Sequence, residues 1–146
     1  MNSPAYALAD DSVYQSPRKS IRVMNAVIEI TNLRLRTFIG FNDEEKTKQQ
    51  DIVINAEIHY PLNNGCITDK VSDALNYKTI TKAIIKHVES GRFLLLEKLV
   101  ADVLSICSEH PDVVYSKVKI DKPHALRFAD SVSLSLDFHS NTTQEN

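Results

Sequence analysis

Four ionisable side chains sit where a folded framework could aim them at a substrate. Glu45 lies in a polar stretch after the first apolar segment, and Tyr77 opens a segment of helical periodicity. Glu97 interrupts the run Phe93-Leu94-Leu95-Leu96, and Lys122 precedes Pro123 where an alternating segment stops. Ends of elements are where rigid scaffolds present chemistry. Two carboxylates, a phenol and an amine form an acid–base set that can move protons. Other chemistries lack their residues. The chain has 3 glycines, too few for a phosphate-cradling loop. Its histidines (His59, His87, His110, His124 and His139) show neither metal-ligand spacing nor an accompanying CxxC. No serine occupies a nucleophile elbow. A reaction run on acids and bases, with no metal and no cofactor, is the expectation. Each residue also has a plainer role: Glu45 in a solvated charge run, Tyr77 as a half-buried helix residue, Glu97 at a positive helix end, Lys122 blunting a strand end. Composition and spacing alone raise none of them to catalytic status.

The elements that would carry these residues follow from periodicity. From Val27 the chain alternates, with Ile28 and Ile30 on one face, then Leu33, Leu35 and Ile39 after a slip at Thr31-Asn32. Period two predicts a strand, the slip a bulge, and Gly40 the end. Asp43 to Gln49 reads as a short helical turn or loop. Asp51 to Pro61 alternates cleanly, which predicts a second, antiparallel strand. Asn63-Asn64-Gly65 marks a turn. From Tyr77 the period becomes helical, with Asn76 as N-cap and Gly91 as the stop. A second helix is predicted from about Leu94 to Glu109. Two more alternating segments, Val114 to Pro123 and Ser131 to Phe138, complete a ββααββ order. The expected fold is α+β: a four-stranded antiparallel sheet, two helices on its apolar face, and a polar second face. Four strands leave two open edges, and pairing between subunits would remove them.

The whole chain bounds what surrounds that domain. Its 146 residues suit one domain, and 42% apolar with 25% charged residues is an ordinary globular balance. A net charge of −2 argues against a nucleic-acid or anionic-membrane binder. No apolar run reaches membrane-spanning length. Cys66 and Cys107 read as reduced thiols of a cytoplasmic protein. Residues 1–25 and 139–146 read as flexible tails around a domain at 26–138.

The same positions carry a family resemblance. The run Asn32-Leu33-Arg34-Leu35-Arg36-Thr37-Phe38-Ile39-Gly40, then Leu75-Asn76-Tyr77, Arg92-Phe93-Leu94-Leu95-Leu96-Glu97 and Asp121-Lys122-Pro123, resembles the dihydroneopterin aldolase family. The likeness extends from about Ile28 to Phe138. Asp51-Ile52-Val53-Ile54-Asn55, Ile58-His59-Tyr60-Pro61, His124-Ala125-Leu126-Arg127 and Ala129-Asp130-Ser131-Val132-Ser133 are similar to the branch that inverts C2′ of dihydroneopterin triphosphate. The resemblance implies a T-fold, with subunits joined edge to edge into four-membered rings, two rings stacked as an octamer, and active sites between subunits. It implies Glu97 as the pterin anchor, since its two oxygens can accept the side-by-side ring N–H and amine. It places Leu96 and Leu75 at the ring edge and Tyr77 of a neighbouring subunit against the substrate. Lys122 would donate and accept the proton, and Glu45 would bind near the substrate side chain. His124 and Arg127 are the candidates for the triphosphate.

Other readings remain beside this one. The runner-up is an aldolase that releases glycolaldehyde. A non-catalytic α+β ligand-binding module is a second alternative. A nucleic-acid binder using Arg34, Arg36, Lys117 and Lys119 is disfavoured by Glu57 and Asp137 on the same face and by the scarcity of aromatics.

Overall fold

The computed structural model describes residues 24–62 and 69–141. The Asn63-Asn64-Gly65 turn, Cys66, and most of both expected tails lie outside the described residues. The described residues fall into two compact units, 27–60 with 75–141, and a smaller one from 24–26 with 61–62 and 69–74. The described part of the smaller unit holds the ends of two strands and one 3-10 turn, Val71–Asp73. In that turn the Ala74 N–H donates to the Val71 carbonyl at 3.1 Å.

The larger unit follows the ββααββ order with two additions. Strand β1 (Met24–Ile39) leads into a short helix α1 (Asp43–Thr47), then β2 (Gln50–Leu62), helix α2 (Tyr77–Glu89), a two-residue strand β3 (Arg92–Phe93), helix α3 (Leu96–Cys107), β4 (Tyr115–Pro123) and β5 (Ser131–His139). The sheet order is β3-β1-β2-β4-β5. β2 with β4 and β4 with β5 pair antiparallel, as expected; β3 adds a parallel edge, with Phe38 opposite Arg92 and Ile39 opposite Phe93. Those two residues stay extended because β1 offers them a free edge, and the Gly40 N–H donates to the Phe93 carbonyl at 2.9 Å. The second helix therefore starts at Leu96 rather than near Leu94, and Leu94 and Leu95 are exposed.

Alternation produces the core. Ile52, Ile54, Ala56 and Ile58 of β2 and Val118 and Ile120 of β4 are buried on one sheet face. Ile84 and Val88 of α2 and Leu99, Val100, Val103 and Cys107 of α3 cover them. Burying a side chain of this size contributes about 1.5–3 kcal/mol. Cys107 is a free thiol, and burial pushes its pKa up to about 12. The slip in β1 is a real irregularity. Asn32 adopts φ 54°, its N–H donates to Asn55 Oδ1 at 2.9 Å, and Asn55 Nδ2 donates to Asn32 Oδ1 at 3.2 Å. One extra residue is thereby absorbed, and Leu33 and Leu35 still pack against the core. Thr37 is polar yet fully buried on that face; its hydroxyl donates to the Val88 carbonyl at 2.6 Å, tying β1 to the end of α2.

Candidate active site

Glu45 and Lys122, 77 residues apart in sequence, meet in the folded chain. Lys122 Nζ donates to Glu45 Oε2 at 3.0 Å. The Lys122 side chain is 12% exposed and that of Glu45 24%, so the pair is largely shielded without being sealed.

Each partner is placed by its own element. Lys122 lies on β4 opposite Val132, one residue after Asp121 pairs with Val53. Glu45 is the third residue of α1, held by a reciprocal cap. The Glu45 N–H donates to Asn42 Oδ1 at 2.8 Å, and the Asn42 N–H donates to Glu45 Oε1 at 3.3 Å. Gly40 stands beside the carboxylate with φ 127°, and a Cβ there would overlap the Glu45 carboxyl group. Gln50 at the start of β2 donates its amide to the Ile39 carbonyl. Burial would raise the Glu45 pKa, but the Lys122 hydrogen bond, the Asn42 N–H, the Lys122 charge and Gln50 together outweigh it. The carboxyl is held below its ordinary value.

The remaining sequence candidates sit nearby in the chain's connectivity but outside this pair. Glu97 is the second residue of α3 and is exposed, and its side chain makes no hydrogen bond or ion pair to a described residue. Leu95 occupies the N-cap position without a side-chain hydrogen bond, so the first amides of α3, at Leu96 and Glu97, have no capping side chain. Leu75 is buried ahead of α2, whose cap Asn76 accepts from the Lys78 and Thr79 N–H groups at 3.0 and 3.2 Å. Tyr77 opens α2 and is 55% exposed. His124 and Arg127 are exposed in the β4–β5 loop. His124 has φ 64° and Phe128 φ 69°, left-handed values that are uncommon outside glycine and rarest for a bulky residue such as Phe128. The Arg127 guanidinium lies 5.2 Å over the Phe128 ring. Within one chain, then, the structure joins Glu45 to Lys122 and joins neither Glu97 nor Tyr77 to them. The sequence reading gives Gly40 only as a strand end and names neither Asn42 nor Gln50. The spacing Asn42-Asp43-Glu44-Glu45 was a visible capping box, whereas nothing local marked Gln50.

Among the described residues no three His, Cys, Asp or Glu side chains gather to hold a metal ion, and no helix is long and apolar enough to cross a membrane.

The fold is α+β, and it brings a lysine and a carboxylate together between β4 and α1. The sequence pattern of the dihydroneopterin aldolase (FolB) family matches residues 28–137, and the chain belongs to that family. Two relatives narrow its position. It is 58% identical over 113 residues to the dihydroneopterin triphosphate 2′-epimerase of Escherichia coli, covering 77% of this chain and 94% of that one. It is 51% identical over 114 residues to the enzyme of that name from Pseudomonas aeruginosa, covering 78% and 93%. The crystal structure of E. coli dihydroneopterin aldolase in complex with neopterin superimposes with a TM-score of 0.72 at 27% identity, covering 77% of this chain and 98% of that one.

Proposed function

We propose that the chain inverts C2′ of 7,8-dihydroneopterin triphosphate by opening and re-forming the C1′–C2′ bond. The observation that carries the reading is the 3.0 Å contact between Lys122 and Glu45, in a chain 58% identical to an enzyme named for that epimerisation. A dihydropterin contains a C=N bond beside its side chain. That bond takes the electron pair released when C1′–C2′ opens, so the protein's task is proton transfer and positioning. Lys122 exchanges the 2′-hydroxyl proton with the substrate, taking it up as C1′–C2′ opens and returning it when the bond re-forms. Glu45 holds the lysine within reach of the side-chain hydroxyls. The aldehyde fragment stays bound, rotates, and is attacked on its other face.

Glu97 anchors the pterin through two parallel hydrogen bonds, with the uncapped amides at the start of α3 and the Leu75 backbone beside the ring. His124 and Arg127 meet the triphosphate. Tyr77 comes from a neighbouring subunit, which makes the working unit a homo-oligomer of rings, up to an octamer, in the cytoplasm. The exposure of Tyr77, Leu94 and Leu95, at 55%, 58% and 51%, supports a surface covered by another copy.

Incubation with dihydroneopterin triphosphate, followed by chiral analysis of the pterin and assay of free aldehyde, tests this directly. Inverted pterin with little aldehyde is the expected result. Aldehyde released in step with pterin loss would make the chain an aldolase, the second reading, which the likeness to the neopterin-bound structure keeps in view. Unchanged substrate would leave a binding module. Arg127→Ala should impair the triphosphate substrate more than unphosphorylated dihydroneopterin; equal losses would remove Arg127 from the phosphate site.

A further inference from the structure

We propose that Asn42 is a positioning residue for proton transfer, holding Glu45 against Lys122 through the cap of α1. The inference rests on the reading that Lys122 and Glu45 act on the substrate.

Helix α1 has five residues and buries none of them. A helix this short cannot hold itself by intrinsic propensity, and without a buried face it gains nothing from the core. Its shape must come from its ends. At the far end the Arg92 guanidinium donates to the Lys46 carbonyl at 3.1 Å. At the near end stands the Asn42–Glu45 box, with bonds of 2.8 and 3.3 Å.

That box does more than close a helix, because its acidic member is also the partner of Lys122. Oε1 of Glu45 is committed to the Asn42 N–H, which turns Oε2 toward Lys122. The vacant side of Gly40 leaves room for the carboxylate in that orientation. Removing the Asn42 side chain frees the Glu45 N–H, loosens the first turn, and lets the carboxylate leave Lys122. None of this touches the buried core.

The test is steady-state epimerisation by the full chain. Asn42→Ala should lower kcat about five-fold, the size of a lost N-cap, with KM for dihydroneopterin triphosphate within two-fold of wild type. Asn42→Asp keeps an oxygen at the cap and should restore kcat to within two-fold. Gly40→Ala should mimic Asn42→Ala by displacing the carboxylate. Should it fail to fold, the Asn42 pair still decides the matter. Wild-type kcat in Asn42→Ala, or equal losses in the Ala and Asp variants, overturns the proposal. Glu45→Gln and Lys122→Ala run alongside. Should they retain full turnover, the catalytic reading itself falls; should they lose it while Asn42→Ala does not, only the positioning role falls.

Discussion

Two of the charged clusters that bridge elements among the described residues are built from similar parts. In one, Lys122 reaches Glu45 at 3.0 Å. In the other, Asp102 of α3 accepts from Lys98 at 2.9 Å and contacts His87 of α2 at 2.7 Å. The Asp102 side chain is 20% exposed, much like Glu45 at 24%. In both, burial would raise the carboxyl pKa, and hydrogen bonds together with a neighbouring lysine charge outweigh it and hold it low. Electrostatics alone does not tell them apart. Their supports do. Asp102 and His87 stand on long helices whose other faces form the core, so their contact clamps two bodies that are already packed. Glu45 stands on a helix with no buried residue, placed by a cap and a glycine. A pair held at the ends of elements can serve chemistry, because its geometry is set without being needed to hold the domain together.

That contrast predicts different responses to substitution. Lys122→Ala should reduce turnover by about 10²–10⁴-fold while pterin-analogue binding stays within a few-fold. A collapse of the oligomer instead would make the strand-end pair structural and erase the distinction. Glu97→Gln should weaken binding of a pterin analogue by about ten-fold or more, since an amide replaces only one of two charged acceptors. Titration calorimetry showing unchanged affinity would place the anchor elsewhere. Asp102→Asn should cost about 1 kcal/mol of unfolding free energy with turnover per folded molecule unchanged. A loss of turnover at full stability would move the helix clamp into the catalytic region.

The smallest expected effect is shared by both clusters. A carboxyl whose folded pKa is depressed stabilises above its unfolded value, about 4, and loses that contribution as pH falls through the folded value. Denaturant unfolding followed below pH 5 should therefore show stability dropping with acid. Glu45→Gln and Asp102→Asn should each flatten that slope. An unaltered slope in both variants would mean that neither carboxyl is held low.

The outline of the fold was legible for a simple reason. Period-two alternation in Ile52, Ile54, Ala56 and Ile58, and helical spacing in Ile84 and Val88, each report which face is buried, and burial followed those faces. The bulge at Thr31-Asn32 was readable because a slip in register would otherwise turn Leu33 and Leu35 outward. Strand β3 was not legible. Two residues carry no period, and they are extended only because β1 lends them an edge. The same event moved the start of α3 to Leu96 and left Leu94 and Leu95 exposed.

For the candidate site the division is sharper. Residue types and their places at element ends pointed to Glu45, Tyr77, Glu97 and Lys122, because acid–base chemistry needs those groups and local pattern shows where elements stop. Which of them touch within one chain was decided only by the tertiary structure. The contact between Lys122 and Glu45 depends on the register of β4 against β2 and on the path of the chain through Gly40 into α1. Local sequence sets what each segment becomes, since hydrogen bonds and side-chain period act over a few residues. A distance of 3.0 Å across 77 residues is set by how those segments pack.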